Sequence, residues 1–489
     1  MGVPVSLVLV AHHPPLLPAE EREGRLLNRF CDTMIAGFLP MMTLVHHALC
    51  PVTVATSQPL LEMLDRPRLR DAVEARLEEA IRWATEASLT YAGSAVAAIA
   101  QGDVARFETL LATYRDVYER DLSQVLATWC AEGRVGLIPV AGSHALLPLL
   151  RTRAIRGLHI NAALQAFTER FDTQPQGIWL PECAVDPEVL DAFVACRPGV
   201  SVVSGHALDG SRAVVLGDKA TLLARHSACQ LWSGAAAGTR APSREGQQTP
   251  SLWSWYAHNG AERVSARSIY DAAVGRAQAE TLAQATLEAL SPDSPGVLAW
   301  DVAELAHTWF EWTEAWTALV RVSRETEGLE WVTLDRLAER EEQQVPSTGT
   351  APVSGLRAIS TWHPDVLSPW LAPANSWLLR HMHRLEQRLL NAVDGRHLNT
   401  QHELPPWQRR AIIVALRELL MLQSSDLAAA MVASSGVGHA LERTQGHIKR
   451  AQRLLDMVER DAVDGRFIET LEQDTTLAAL ADPSHMLRG

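Results

Sequence analysis

Paired cysteines are missing from this sequence. The six present, Cys31, Cys50, Cys130, Cys183, Cys196 and Cys229, form no CxxC spacing, and a chain of 489 residues can bury a core without covalent staples. They read as reduced thiols, which points to the cytoplasm. A basic tract is missing too. The net charge of -13 repels phosphate backbones, so nucleic acid is a poor candidate partner and none is expected, while neutral ligands stay open. The opening "MGVPVSLVLVAHHPP" has no basic leader, and its apolar run is too short for a signal peptide or a membrane span. Gly2 and Ser6 fit the loose myristoylation pattern, but a first core strand explains the segment better. No internal repeat is present, and neither secretion nor membrane anchoring is expected.

What is there alternates. Short β-branched runs ("VSLVLV", "VTVAT", "VGLIPVA", "GIWL", "VSVVS", "GVLAW", "LEWVTL", "LRAIS") separate long amphipathic stretches. That order predicts an α/β fold with a parallel sheet and crossover helices, best fitted by a closed or nearly closed β/α barrel over residues 1–365. Residues 60–132 carry no strand signal and read as a helical insertion. From 366 to 489 the chain reads as an all-helical domain. There Pro405 and Pro406 precede a helix with Ile412, Leu416, Leu419 and Leu420 on one face, and Ile448, Ala451, Leu455 and Val458 line another. Residues 234–252 lack periodicity and predict a mobile loop, and 339–355 a linker.

In parallel β/α folds the loops after the strands' carboxyl ends form one rim, so polar residues just past several strands converge. Here these are His12 and His13, Ser57 and Gln58, Ser143 and His144, Glu182, Asp301 and Trp362. Glu182 and Asp301 are the carboxylates that strand geometry aims most directly at such a rim. A carboxylate pair suits cleavage of a glycosidic bond: at about 5 to 5.5 Å apart one attacks and one protonates, and wider spacing admits water and inverts. The plainer reading makes each a helix cap or a loop charge. Asp186, a plausible cap for the helix after "PECAV", weakens that reading for Glu182. In "WDVAELAHTWFEW" the clustered aromatic and acidic residues, His307 and Trp309 among them, form either a sugar-stacking wall or an ordinary aromatic helix. Fifteen tryptophans against five tyrosines and eight phenylalanines lean toward carbohydrate, because indole stacks on a pyranose's apolar face.

At these residues the sequence resembles glycoside hydrolase family 57, of the α-1,4-glucan branching enzyme type. "LVAHHPP" resembles the family's His-x-His-x-Pro opening, with His12 and Pro14 in register. "GSHALLPLL" resembles its active-site histidine stretch, at His144. "IWLPEC" resembles the nucleophile motif, at Glu182, and "DVAELAHTWFE" the segment with the general acid/base, at Asp301. "STWH" is similar to a substrate-binding tryptophan segment, at Trp362, and "ELLMLQSSDL" to a signature of the C-terminal helical domain, at Asp426. In the mid-chain "LWSGAAAGTR" only Trp232 of the family's pattern remains. The resemblance implies an incomplete (β/α)7 barrel, an inserted helical subdomain, a C-terminal helical domain, and a retaining double displacement without metal or other cofactor. Its substrate would be an α-1,4-glucan of the amylose or glycogen kind. Glu182 and Asp301 would act catalytically, with His12, His144, Trp232, His307, Trp309, Trp362 and Asp426 binding substrate.

The departures bear on activity. Val10 stands where the family has its first histidine, Val302 and Ala303 replace polar residues, Thr308 replaces a tryptophan, and the 234–252 loop lacks the tyrosine that shields the intermediate from water. Three alternatives to branching therefore stay open: an α-glucan hydrolase, a glucan-binding homologue with weak or lost catalysis, and a metal-dependent hydrolase using His12, His13, His144 and Asp301. The last is disfavoured because adjacent residues of an extended segment project oppositely.

Overall fold

A computed structural model describes residues 3–22, 24–47, 50–208, 213–216, 220–232, 272–290, 296–308, 312–326, 328–344, 359–362, 367–394, 405–433 and 436–481. The described strands are β1 (Val3–Ala11), β2 (Val52–Thr56), β3 (Val135–Pro139), β4 (Gly199–Ser204), β5 (Ala213–Val215), β6 (Ala220–Arg225), β7 (Val297–Asp301) and β8 (Leu329–Val332). The fold class is the one expected: α/β, with an open barrel-type sheet and a helical C-terminal region. The chain packs as two compact units. One holds Met1–Val54, Leu60–Leu137 and His226–Leu337; the other holds Ala55–Pro59, Ile138–Arg225 and Ala338–Gly489.

In the first unit β1 is buried from Val5 to Ala11, as a strand covered on both faces must be. Its first half pairs in parallel with β8 (Val3 to Ser6 opposite Leu329 to Val332). Its second half pairs in parallel with β7, from Ser6 opposite Val297 to Val10 opposite Asp301. The sequence from 60 to 132 is helical as anticipated, with long helices at Pro67–Thr90, Ala95–Ala112 and Leu122–Ala131. Leu69, Val73, Leu77, Ala80 and Ala84 of the first bury one stripe at helical spacing.

In the second unit β6 pairs in parallel with β4 along its length, Gly199 opposite Ala220 through Ser204 opposite Arg225, and antiparallel with the short β5. The expected strand "GIWL" is extended but joined by single parallel bridges, Val140 to Trp179 and Gly177 to Val200. Gly177 has no alternative there: a Cβ would stand 2.4 Å from the Val200 carbonyl oxygen. The C-terminal helices include Ser376–Asp394, Pro406–Leu422, Ser425–Val432 and Val437–Arg460. Ile412, Leu416, Leu419 and Leu420 are all at most 1% exposed, which confirms the face read from their spacing.

Two local expectations change. The strand β6, "ATLLAR", carries little strand signal in the sequence: it has one β-branched residue, Thr221, no aromatic, and ends in arginine. The linker expected from 339 begins instead as the end of the helix Leu334–Gln344, whose Leu334, Leu337, Ala338 and Glu341 are buried on one side. The rest of that segment, most of "LRAIS" and the whole 234–252 loop lie outside the described residues.

Candidate active site

In the second unit, "WLPECAV" leaves its extended run at Pro181 and makes one tight turn. Glu182 and Cys183 take left-handed φ values of 57° and 50°. Such a backbone is costly for a side-chain-bearing residue and persists only where surrounding contacts hold it. Here they do. Val185 and Ser360 exchange both backbone hydrogen bonds at 2.9 Å, and the Trp362 N–H donates to the Glu182 carbonyl at 2.9 Å. This short antiparallel ribbon brings the Trp362 indole beside the Glu182 side chain, where Nε1–H donates to Oε2 at 2.5 Å. Glu182 is partly exposed, so the carboxylate is held yet reachable. The capping role falls to Asp186, whose Oδ1 accepts from the Val189 N–H at 2.7 Å at the start of the helix Pro187–Cys196.

His144 lies in the loop after β3, also left-handed at φ 65° and 6% exposed. Its Nδ1 meets Ser425 Oγ at 2.8 Å, its carbonyl accepts from the Ser425 N–H at 3.1 Å, and the neighbouring Ser143 Oγ donates to the Leu420 carbonyl at 2.6 Å. The "LLMLQSSD" segment thus orients this imidazole. Beside it Gln423 bonds His159 Nε2 through Oε1 (2.9 Å) and donates to Glu386 through Nε2 (3.0 Å). Burial pulls His159 down to about 4 and pushes Glu386 up to about 7, so both are neutral in mildly acidic solution. Asp426, in the first turn of the next helix, accepts from Ser424 Oγ at 2.6 Å.

In the first unit, Asp301 closes β7 and its Oδ1 accepts from the Glu304 N–H at 2.7 Å. The plain reading of Asp301 is therefore also true: it caps the helix Val302–Thr308. Burial raises its pKa to about 7, and the Glu304 charge adds to this against the opposing Glu304 N–H and His12. A carboxyl near 7 is suited to giving and taking a proton. Val10 is its ladder partner, so its side chain projects on the same face as Asp301, an apolar residue where the family pattern has an imidazole. Val302 is fully buried and packs with Ala306 against Gly37, where a Cβ would meet Ala306 at 3.1 Å.

His12 is 5% exposed at the end of β1. His13 bonds the Pro14 carbonyl through Nδ1 at 2.7 Å and meets Phe30 edge-on at 5.2 Å. His307 Nε2 meets Thr33 Oγ1 at 2.7 Å, and burial lowers its pKa to about 4. Trp232 is fully buried: its indole N–H donates to Thr286 Oγ1 at 3.0 Å and its ring lies 4.3 Å from Trp300. Trp309 lies outside the described residues.

Two residues near Glu182 were not singled out from sequence. Arg225, the last residue of β6, places its guanidinium carbon 4.7 Å from the Trp362 ring centre. His206 links Ser204 Oγ (3.0 Å) to Ser360 Oγ (2.8 Å). The strand-end rule finds Arg225 once β6 is recognised, and it reaches His206, two residues past the end of β4.

Residues 52–235 match the family model for glycosyl hydrolase family 57, and residues 381–483 that for the C-terminal region of 1,4-alpha-glucan branching enzyme. A 1,4-alpha-glucan branching enzyme of Thermococcus kodakarensis is 24% identical over 407 residues, which is 70% of this chain and only 57% of that protein's length. Among solved structures, a branching enzyme of this family from Pyrococcus horikoshii has a TM-score of 0.77 at 17% identity, covering 99% of this chain and 96% of its own. An alpha-amylase from Thermotoga maritima has a TM-score of 0.76 at 20% identity, covering 99% of both chains. At such identities these structures establish a shared fold.

Proposed function

We propose that the chain is a glycoside hydrolase family 57 protein, an α-1,4-glucan branching enzyme working by retaining double displacement. One observation carries this reading. Glu182 sits on a left-handed backbone with its carboxylate hydrogen-bonded by Trp362, while the neighbouring helix takes its cap from Asp186.

In this reading Glu182 attacks the anomeric carbon as Asp301 protonates the departing glycosidic oxygen, leaving a glycosyl ester on Glu182. Asp301 then takes the proton of an incoming 6-hydroxyl, which attacks the ester from the opposite face and restores the α configuration as a branch. A pKa near 7 lets one carboxyl serve in both steps. His12, His144 and Asp426 bind hydroxyls, His144 being oriented by Ser425. Trp362 holds Glu182 by its N–H and, with Trp309, binds sugar rings; the fully buried Trp232 is held by Thr286 and the half-buried His307 by Thr33.

Hydrolysis is the second reading, favoured by the lack of a tyrosine in the 234–252 segment. Incubation with amylose separates the outcomes: new α-1,6 linkages with loss of iodine stain mean branching, and reducing ends without branches mean hydrolysis. Glucan binding with neither product would leave a binding protein and overturn the proposal, as would activity abolished by chelators alone.

A further inference from the structure

We propose that Arg225 is a positioning residue for Glu182, acting through the indole of Trp362; this rests on Glu182 being the nucleophile. Three contacts form a chain within one unit. The guanidinium carbon of Arg225 is 4.7 Å from the Trp362 ring centre, Trp362 Nε1–H donates to Glu182 Oε2 at 2.5 Å, and the Trp362 backbone N–H donates to the Glu182 carbonyl at 2.9 Å. Trp179, just upstream of Glu182, meets the same ring at 5.3 Å with planes 56° apart. The indole is therefore bounded by a cation and by a buried aromatic, with its N–H aimed at one carboxylate oxygen.

The physical consequence is twofold. A cation over an indole face draws on the ring's π electrons, and the withdrawn density leaves the N–H more positive and a stronger donor. The same stack restricts rotation of the indole, so the donor stays aimed while Glu182 changes from anion to ester and back. Arg225 is itself well anchored: it ends β6 opposite Ser204 of β4, and Ser204 is tied through His206 to Ser360, two residues before Trp362. The strand end and the ribbon carrying the indole are thus braced against each other, which a surface arginine meeting a tryptophan by chance would not show.

The test uses the full chain labelled with ¹⁵N-tryptophan. The Trp362 indole N–H resonance is assigned by its loss in Trp362→Phe. It should lie downfield in the wild type and move upfield in both Arg225→Met and Glu182→Gln, while Arg225→Lys, which keeps a cation, stays close to wild type. In turnover of amylose, Arg225→Met should lower kcat about tenfold with KM within about twofold, and Arg225→Lys should recover most of it. In the Trp362→Phe background Arg225→Met should add almost no further loss, because the ring no longer carries a donor. An indole resonance unmoved by Arg225→Met, or independent losses in the double variant, would overturn the proposal. Because the spectrum is read without turnover, a wild-type protein inactive on amylose refutes the proposed function and still leaves this test decisive.

Discussion

Replacing Asp301 with asparagine should inactivate the protein and yet make it more stable above neutral pH. Asparagine caps a helix about as well as aspartate, so the hydrogen bond to the Glu304 N–H at the start of the helix Val302–Thr308 is kept. What changes is the charge. Burial raises the Asp301 carboxyl from its ordinary 3.8 to about 7, so the folded state holds the proton that the unfolded chain releases. The sign follows. Well below the ordinary 3.8 both states are protonated and the carboxyl costs nothing. As pH rises the unfolded state ionises first, and the penalty grows until the folded group ionises too, near 7. The full penalty is about 4 kcal/mol above pH 7 and about 2 kcal/mol at pH 5. Thermal unfolding of wild type and Asp301→Asn, compared at pH 5 and pH 8.5, should show the variant ahead at both and further ahead at the higher pH. Glucan turnover should fall roughly 10² to 10⁴-fold. A stability difference that does not vary with pH, or a wild type more stable than the variant at pH 8.5, would refute the reasoning.

Four further expectations rest on other residues. Glu182→Gln should reduce turnover on the order of 10⁴-fold or more while leaving glucan binding measurable by affinity electrophoresis; retained turnover would reassign the nucleophile. The wild-type rate should decline as pH rises through about 7, where Asp301 loses the proton it must donate, and a rate flat to pH 9 would contradict that role. Ser425→Ala removes the hydroxyl at His144 Nδ1, a loss of about 1 kcal/mol that should appear as roughly fivefold in kcat/KM with little change in melting temperature. Gly177→Ala forces a methyl against the Val200 carbonyl and should cost about 1–3 kcal/mol of stability or more, read by denaturant unfolding.

Much of this arrangement was readable from the residues because two periodicities dominate them. Continuous β-branched runs mark β1, β2 and β4, short apolar runs mark β3 and β7, and 3.6-residue spacing marks the C-terminal helices through Ile412, Leu416, Leu419 and Leu420. The strand-end rule then supplied Glu182, Asp301, His12 and His144 without any geometry. It missed Arg225 only because β6 mixes alanine, leucine and a single threonine, a pattern equally at home in a helix. Long-range pairing was out of reach for a different reason. Nothing local in "STWH" says that Ser360 pairs with Val185 and so delivers an indole to Glu182, and nothing in "QSSD" says which histidine Ser425 will orient. Burial of single side chains was equally hidden. Trp232 reads as a platform in a family motif, but its N–H is spent on Thr286 inside the protein. At Asp301 the plain and the functional reading need not compete, since one oxygen caps a helix while burial raises the pKa of the group to about 7.

The central claim is that Glu182 forms the covalent bond to sugar. The most direct measurement is intact-mass and peptide mapping of the protein after reaction with a fluorinated α-glucosyl fluoride, which forms the ester quickly and releases it slowly. A single added glycosyl group is expected on the peptide containing "WLPEC", at Glu182, and none on Glu182→Gln. An adduct on another carboxylate, or efficient glucan conversion with no trappable ester, would contradict it.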